Sequence, residues 1–282
     1  MMREVLAKEI AAAVEKLAIE ANYYLTDDVL CCLKRSVETE ESPLGKEIIS
    51  TIVENAVLAK ETDSPICQDT GMAVVFVKLG QDVHVAGGDI YQAINEGVAK
   101  GYTAGYLRKS VVNDPVFART NTKDNTPAII HLEIVPGDKI DITLAPKGFG
   151  SENMGALKMC KPSEGVEGIV NFVVETVSKA GSNPCPPIVV GVGIGGTMEK
   201  ATYLAKRSLI RELGQKNPDE RYAQLEAEIL EKVNATGIGP QGLGGRTTAL
   251  AVHIEYYPTH IAGMPVAVNI NCHASRHAHV EI

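Results

Sequence analysis

Three cysteines occupy loops in which a thiol can be presented to a ligand. Cys67 lies in SPICQDTG, Cys185 in GSNPCPP and Cys272 in NINCHASRH, each bounded by prolines or polar residues at the edge of a predicted strand. Thiolates in such surroundings suit metal ligation or nucleophilic chemistry. No C-x-x-C pair is present, so the ligand spacing typical of zinc sites is missing. Taken one at a time, each cysteine is better explained as a structural thiol.

The other three cysteines have surroundings that favour packing. Cys31, Cys32 and Cys160 lie in or beside predicted helices, where a buried thiol is the better interpretation. A vicinal bridge between Cys31 and Cys32 would be strained. The chain begins without a secretory signal and is long enough to fold without disulfides, so we expect reduced thiols and a cytoplasmic protein.

Basic side chains and glycine-rich loops supply candidate anion contacts. Arg108 follows a predicted helix end, and Arg246 lies in the loop GIGPQGLGGRT. Either guanidinium could clamp a carboxylate, although a surface salt bridge is the common alternative. The backbone of KGFGSEN could cradle a carboxylate or could be a tight connection. His260, which precedes a predicted strand, is on its own best explained as a hydrogen-bonded structural histidine.

The segment Gly191–Gly196 contains G-x-G-x-x-G between a predicted strand and a predicted helix. This pattern is typical of dinucleotide binding when a parallel strand with a terminal acid returns about twenty residues later. Here the helix from Thr197 leads into a second charged helix without an intervening strand. A nicotinamide-dependent oxidoreductase therefore remains an alternative of a different class.

The elements that position these residues change character along the chain. Residues 3–20 have helical apolar spacing, Thr26 is placed to cap a helix ending near Thr39, and Pro43 starts a helix over 43–61. TPAIIHLEIV and KIDITLAPK flank Pro-Gly-Asp, which predicts a β-hairpin. Strands and helices then mix to the end. We expect an α+β fold, with a helical region over 1–62 and a mixed sheet-and-helix domain over 63–282.

Composition excludes two classes of partner. The chain has 282 residues, a net charge of −8 and no run of Lys or Arg, so a nucleic-acid footprint is absent. No apolar stretch approaches the length of a membrane span. With 45% hydrophobic and 22% charged residues, the composition is that of an ordinary globular protein.

Together, four segments resemble one family. SPICQDTGMAVVFVKLG, APKGFGSENMGALKM, AGSNPCPPIVVGVGIGGTMEKA and the stretch from GIGPQGLGGRT to NINCHASRHA are similar, in that order, to blocks of the iron–sulfur hydro-lyases that include class I fumarate hydratases and tartrate dehydratases. The similarity runs from about residue 40 onward. Because the chain stops shortly after the third cysteine block, it resembles the alpha component of a two-part enzyme.

The resemblance implies a cofactor, a reaction and partners. It implies a [4Fe–4S] cluster held by Cys67, Cys185 and Cys272, with one iron left open. The implied reaction is reversible hydration of fumarate to malate, with L-tartrate dehydration as the alternative. The implied partners are a small dicarboxylate substrate and a beta subunit, and the resemblance also implies assembly into a higher oligomer. The implied substrate contacts are Gln68, Asp69, Arg108, Gly148, Gly150 and His260. Of these, Asp69 or His260 would relay protons. Phe149 departs from the family pattern, since relatives often have glycine there.

Overall fold

The computed structural model describes residues 2–282, so Met1 of the predicted helical region lies outside them. The chain divides into two compact units. The first contains residues 2–25, 58–149 and 276–282, and the second contains 26–57 and 150–275. Helices and mixed sheets occur together, which confirms the α+β class. The predicted boundary at residue 62 stays a prediction.

The described helices and strands follow one another in a mixed order. In chain order they are β1 (Arg3–Leu6), α1 (Ala7–Tyr23), α2 (Asp27–Thr39), α3 (Pro43–Glu61), β2 (Met72–Gly80), β3 (Val83–Ala86), α4 (Ile90–Ala104), β4 (Ile129–Val135), β5 (Ile140–Lys147), α5 (Phe149–Glu152), β6 (Ala156–Cys160), α6 (Gly165–Ala180), β7 (Ile188–Gly195), α7 (Met198–Ser208), α8 (Glu220–Asn234), β8 (Ala249–Tyr257), β9 (Met264–Asn271) and β10 (Ala278–Glu281).

The first unit packs α1 and α4 closely together. A Cβ at Gly97 would lie 2.5 Å from the carbonyl oxygen of Ala11, and one at Gly101 would lie 2.7 Å from that of Glu15. Glycine at both positions therefore lets the two helix backbones approach. Apolar residues of both helices, including Ile10 and Ile94, are fully buried in one core with the inner face of the sheet.

The predicted hairpin between β4 and β5 is wrong. The four-stranded sheet has the order β10-β5-β2-β4, so β2 lies between the two strands, parallel to β4 and antiparallel to β5. Val75 of β2 pairs with both Ile130 and Leu144. Most of β2 is buried, and a partner strand on each side satisfies its backbone, so long-range pairing overrides the local turn signal. The turn between β4 and β5 packs against Gly80, the last residue of β2. A Cβ on residue 80 would come within 2.4 Å of the backbone oxygen of Gly137.

The predicted helix over 3–20 begins later than expected. Arg3–Leu6 forms β1, which pairs in parallel with β3, and α1 starts at Ala7. Sheet pairing here overrides the local helical pattern. The predictions for α2 and α3 are confirmed, with Thr26 at the N-cap position of α2. Its hydroxyl makes no capping bond, however, and is buried without a hydrogen-bond partner among residues 2–282.

The second unit is organised around β7. Its sheet has the order β6-β9-β7-β8, with β8 parallel and β9 antiparallel to β7. Every residue of β7 is buried. A Cβ at Gly191 would lie 2.2 Å from the oxygen of Ala205, and one at Gly193 would lie 2.0 Å from that of Ala201. These glycines let α7 lie directly on β7. The G-x-G-x-x-G pattern therefore has a packing explanation that requires no dinucleotide.

A buried carboxylate ties the corner after α2 to the loop before β8 within this unit. Glu40 is 2% exposed, and its two oxygens accept backbone hydrogen bonds from Glu41, Ser42, Arg246 and Thr247 at 2.7–2.9 Å. Burial alone would raise the pKa of Glu40. The hydrogen bonds outweigh it and lower the pKa to about 2.

We expect Glu40→Gln to lower the free energy of unfolding by about 1–3 kcal/mol at pH 7, because buried N–H groups lose a charged acceptor. The pKa of Glu40 is lowered on folding. Its stabilising contribution is therefore complete above the unfolded value of about 4.3 and is lost as pH falls through about 2. Urea unfolding at pH 7 and pH 3 measures both effects. Glu38→Gln, on the exposed face of α2, is the control. Equal midpoints for Glu40→Gln and wild type would contradict this account.

Candidate active site

The loop containing Cys67 lies before β2 and is fixed from several sides within the first unit. The backbone N–H of Ile66 donates to the oxygen of Asn22 at 2.9 Å. The hydroxyl of Tyr102 donates to the oxygen of Thr70 at 2.7 Å, and the Asn125 amide donates to the oxygen of Gly71 at 3.0 Å. Asn22, Tyr102 and Asn125 are fully buried. The loop is therefore a preorganised platform, with Cys67 half-buried at its centre.

Asp69 joins this loop to the glycine-rich segment after β5. Its Oδ1 accepts the N–H of Gly71 at 3.1 Å, and its Oδ2 accepts the N–H of Phe149 at 2.9 Å. A Cβ at Gly148 would lie 3.1 Å from Oδ2 of Asp69, so glycine there leaves room for the carboxylate. At Gly71, φ is +64° and a Cβ would lie 2.4 Å from Lys147, so this position also requires glycine. The carboxylate is thus held in one orientation.

Two further predicted contacts lie beside this platform. Gln68 is exposed on the loop itself. Arg108 is exposed after α4, and its backbone oxygen accepts the hydroxyl of Thr70 at 3.0 Å. The structure therefore brings Cys67, Gln68, Asp69, Arg108 and Gly148 to one region of the first unit.

The second unit brings Cys185 and Cys272 to one end of its sheet. Cys185 lies three residues before β7, and Cys272 directly follows β9, whose last residue pairs with Val189. The backbone N–H of His273 donates to the oxygen of Cys185 at 3.2 Å. The two cysteine-bearing loops are therefore in direct contact.

Gln241 fastens the same two loops together. Its backbone N–H and its side-chain amide both donate to the oxygen of Pro186, at 2.8 and 2.7 Å. The amide also lies 3.2 Å from Nδ1 of His273. Gln241 has φ +52° and Cys185 has φ +55°, conformations that non-glycine residues adopt uncommonly. Strained backbone of this kind is concentrated at functional sites.

His260 lies at the opposite end of β7. It follows β8, whose last residue Tyr257 pairs with Gly195 at the end of β7, and it precedes β9. β7 has eight residues, and a rise of about 3.3 Å per residue puts its ends roughly 23 Å apart. His260 is exposed, with Nδ1 accepting the N–H of Ala262 at 3.2 Å. Within one chain it is therefore not brought to Cys185 and Cys272.

The remaining predicted residues have mainly structural surroundings. Gly150 is exposed in the short helix α5. Cys160 is 4% exposed in the core of the second unit, and burial raises the pKa of its thiol. Burial also raises the pKa of the Cys32 thiol on α2. The buried-thiol prediction is therefore confirmed for Cys160. It is wrong for Cys31, which is exposed on α2, and Cys32 is only half-buried.

The donor set fits an iron–sulfur cluster in its chemistry. Cys67, Cys185 and Cys272 lie on fixed loops, are exposed or half-buried, and form no disulfide. Soft thiolate ligands of this kind are typical of iron–sulfur sites. Among residues 2–282, no group of three or more His, Cys, Asp or Glu side chains is placed so that it could hold a metal ion. The ligand assignment therefore stays a proposal.

Sequence reasoning missed the groups that fix these loops. Tyr102, Asn125, Gln241 and Arg276 each reach their loop from a distant part of the chain. Tyr102 and Asn125 lie outside every quoted motif. Gln241 and Arg276 lie inside the segments GIGPQGLGGRT and NINCHASRH, but nothing in those segments predicts which loop they contact. In the described part of the chain, no helix is both long and apolar enough to cross a membrane.

Comparison with known proteins gives a consistent result. The model of the family described as fumarate hydratase (fumerase) matches residues 11–281. The chain is 45% identical over 274 residues to a putative L(+)-tartrate dehydratase subunit alpha of Methanocaldococcus jannaschii, covering 96% of both proteins. It is 36% identical over 275 residues to an L(+)-tartrate dehydratase subunit alpha of Escherichia coli, covering 94% of this chain and 90% of that protein. Matches of this extent establish that the chain belongs to the fumarate hydratase (fumerase) family.

Proposed function

We propose that this chain is the alpha component of an oxygen-sensitive [4Fe–4S] hydro-lyase that catalyses reversible hydration of fumarate to malate. The observation that carries the proposal is the preorganised loop bearing Cys67 and Asp69, in a chain that the family model covers almost completely. Six cysteines without a disulfide are in keeping with a reducing cytoplasm.

Cys67, Cys185 and Cys272 are the proposed cluster ligands. When bound, the cluster would supply a Lewis-acidic iron for the substrate carboxylate and the hydroxyl group that adds or leaves. The contact between the Cys185 and Cys272 loops supports a shared role for these two thiols. The fixed position of Cys67 supports a ligand that needs little reorganisation.

The dicarboxylate would be oriented by groups beside the Cys67 loop. The exposed Arg108 guanidinium can pair with a carboxylate, and the Gln68 amide and the backbone of Gly148 and Gly150 can donate or accept further hydrogen bonds. Removal of a proton from the carbon next to a carboxylate creates negative charge, which a guanidinium stabilises. Asp69, already held by two N–H groups, would take that proton during dehydration and return it during hydration.

His260 would reach a substrate only from a second copy of the chain. The resemblance assigns it a substrate contact, yet the length of β7 separates it from the cysteine pair of its own chain. A higher oligomer in which His260 of one copy faces the cysteine loops of another satisfies both observations. We propose this arrangement for the assembled enzyme.

A beta component completes the proposed enzyme. The two relatives with the matches given above are named as alpha subunits. We propose that this chain also requires a beta subunit, which contributes further carboxylate-binding groups.

L-tartrate dehydration is the second candidate. The names of both relatives favour it. Dehydration of tartrate eliminates water next to a carboxylate, as dehydration of malate does. The two substrates differ in the additional hydroxyl of tartrate, which a specific enzyme must recognise.

The test compares both substrates on one preparation. The chain and its beta component, reconstituted anaerobically, are assayed for fumarate loss and for L-tartrate dehydration. A higher kcat/KM for fumarate supports the first proposal, and a higher value for L-tartrate supports the second. A cluster-loaded complex that turns over neither would contradict both, and a requirement for NADH would support the oxidoreductase alternative instead.

A further inference from the structure

The backbone segment that carries Arg108 is held by a side chain from elsewhere in the first unit. Residues 108–111 follow α4 and belong to neither a helix nor a strand. Oδ1 of Asn125 accepts the backbone N–H groups of Ser110 and Val111, at 2.7 and 3.2 Å. The exposed guanidinium of Arg108 therefore extends from backbone that is fixed by hydrogen bonds and not by regular secondary structure.

The same asparagine joins this segment to the loop that contains Asp69. Nδ2 of Asn125 donates to the backbone oxygen of Gly71 at 3.0 Å. The backbone N–H of Gly71 donates in turn to Oδ1 of Asp69 at 3.1 Å. One fully buried side chain thus connects the backbone that carries Arg108 to the residue that orients the Asp69 carboxylate.

The backbone and the side chain of Asn125 both suit this connection. Its φ is +65°, a left-handed conformation that asparagine adopts more readily than most residues with a side chain. An amide can also donate and accept at once, as the bonds to Gly71 and Ser110 require, whereas an ionised aspartate only accepts. Glycine would keep the conformation and remove every side-chain bond. Substitution by glycine or aspartate therefore breaks the connection without straining the backbone.

We propose that Asn125 is a positioning residue that sets the Arg108 guanidinium relative to the Asp69 carboxylate. This inference rests on the proposed function, in which Arg108 binds a substrate carboxylate and Asp69 exchanges the proton on the neighbouring carbon. Both groups must meet the same small molecule, and a misplacement of about 1 Å can cost roughly 100-fold in rate. Asn125 acts through these two residues, because its own side chain is fully buried and bonded to backbone groups.

The test uses the cluster-loaded full chain with its beta component, assayed on fumarate and on L-tartrate. We expect Asn125→Gly to lower kcat/KM for the substrate that wild type uses by about 10–100-fold. Asn125→Asp should have a similar effect, because a carboxylate cannot donate to the Gly71 oxygen. In an Arg108→Ala background, the loss caused by Asn125→Gly should shrink by about threefold or more, since effects that act through one group are not additive.

Two further measurements separate positioning from general stability. In the chain with Asn125→Gly, the Ser110 and Val111 amides should exchange faster with deuterium, because they lose their acceptor. The matched control is Asn95→Ala on α4, where Oδ1 of Asn95 accepts the N–H of Ala128 at 2.8 Å. Asn95→Ala should lower the melting temperature, as Asn125→Gly does, while kcat/KM stays at the wild-type value.

Unchanged kcat/KM in a folded Asn125 variant would overturn the inference, and Asn125→Asp decides if Asn125→Gly does not fold. Equal losses in the wild-type and Arg108→Ala backgrounds, or an equal loss in Asn95→Ala, would also overturn it. So would a loss that disappears when activity is expressed per loaded cluster, because Asn125 would then act on cluster retention. A wild-type complex that turns over neither dicarboxylate would overturn the proposed function instead. Amide exchange does not depend on activity, and unchanged exchange at both positions would overturn the inference by itself.

Discussion

We expect Cys185→Ala to lose the proposed cluster and nearly all hydro-lyase activity, whereas Cys160→Ala should keep both. Removing the Lewis acid withdraws several kcal/mol of transition-state stabilisation, which corresponds to a loss of roughly 10³-fold or more in kcat. Cys160 is instead packed in the core of the second unit, so its loss should cost on the order of 1 kcal/mol of folding free energy. Iron and sulfide per chain, measured after anaerobic reconstitution, compare the two variants directly.

Cys185→Ala and Cys160→Ala form a matched pair, because each substitution removes one thiol from the second unit. Circular dichroism establishes that each variant is folded. Equal iron content in the two folded variants would contradict the ligand assignment, whichever level it reached.

Mixing two inactive variants restores activity if His260 acts from a second copy of the chain. Asp69→Asn and His260→Asn should each lose activity alone. In a randomly mixed dimer, half of the molecules are hybrids, and each hybrid has one site with both native residues. The mixture should therefore recover about one quarter of wild-type activity. Co-expression with two affinity tags, followed by the fumarate assay, measures this recovery.

A mixture of two cysteine variants is the negative control. Cys185→Ala and Cys272→Ala affect loops that lie together at one end of the same sheet, so their mixture should remain inactive. No recovery from the Asp69 and His260 mixture, with hybrids demonstrated by the tags, would show that His260 does not act in this way.

Local signals in the sequence predicted those elements whose formation depends on neighbouring residues. Pro43 marked the start of α3, and the position of Thr26 marked the start of α2. The hairpin prediction failed because β4 and β5 both pair with β2, whose residues precede their partners by 55 positions or more in the chain. Turn residues report where a chain bends but do not specify which strand enters between two others.

The residues of the candidate site could also be predicted only in part from the sequence. Cys67, Cys185 and Cys272 could be singled out from their surroundings, because prolines and polar residues are unusual beside buried thiols. The position of His260 depends on the register of β7 with β8 and β9, which apolar alternation does not determine. The contact of Arg276 with the backbone oxygen of Asp69 was not identifiable either, since it joins residues that are 207 positions apart in the chain.

Cys67, Cys185 and Cys272 are the proposed ligands of a catalytic cluster in this chain. The most direct measurement is iron and sulfide per chain after anaerobic reconstitution, with fumarate hydration recorded on the same sample with and without the beta component. We expect about four irons and four sulfides per chain, with hydration only when the beta component is present. A folded chain that takes up neither iron nor sulfide would contradict the claim.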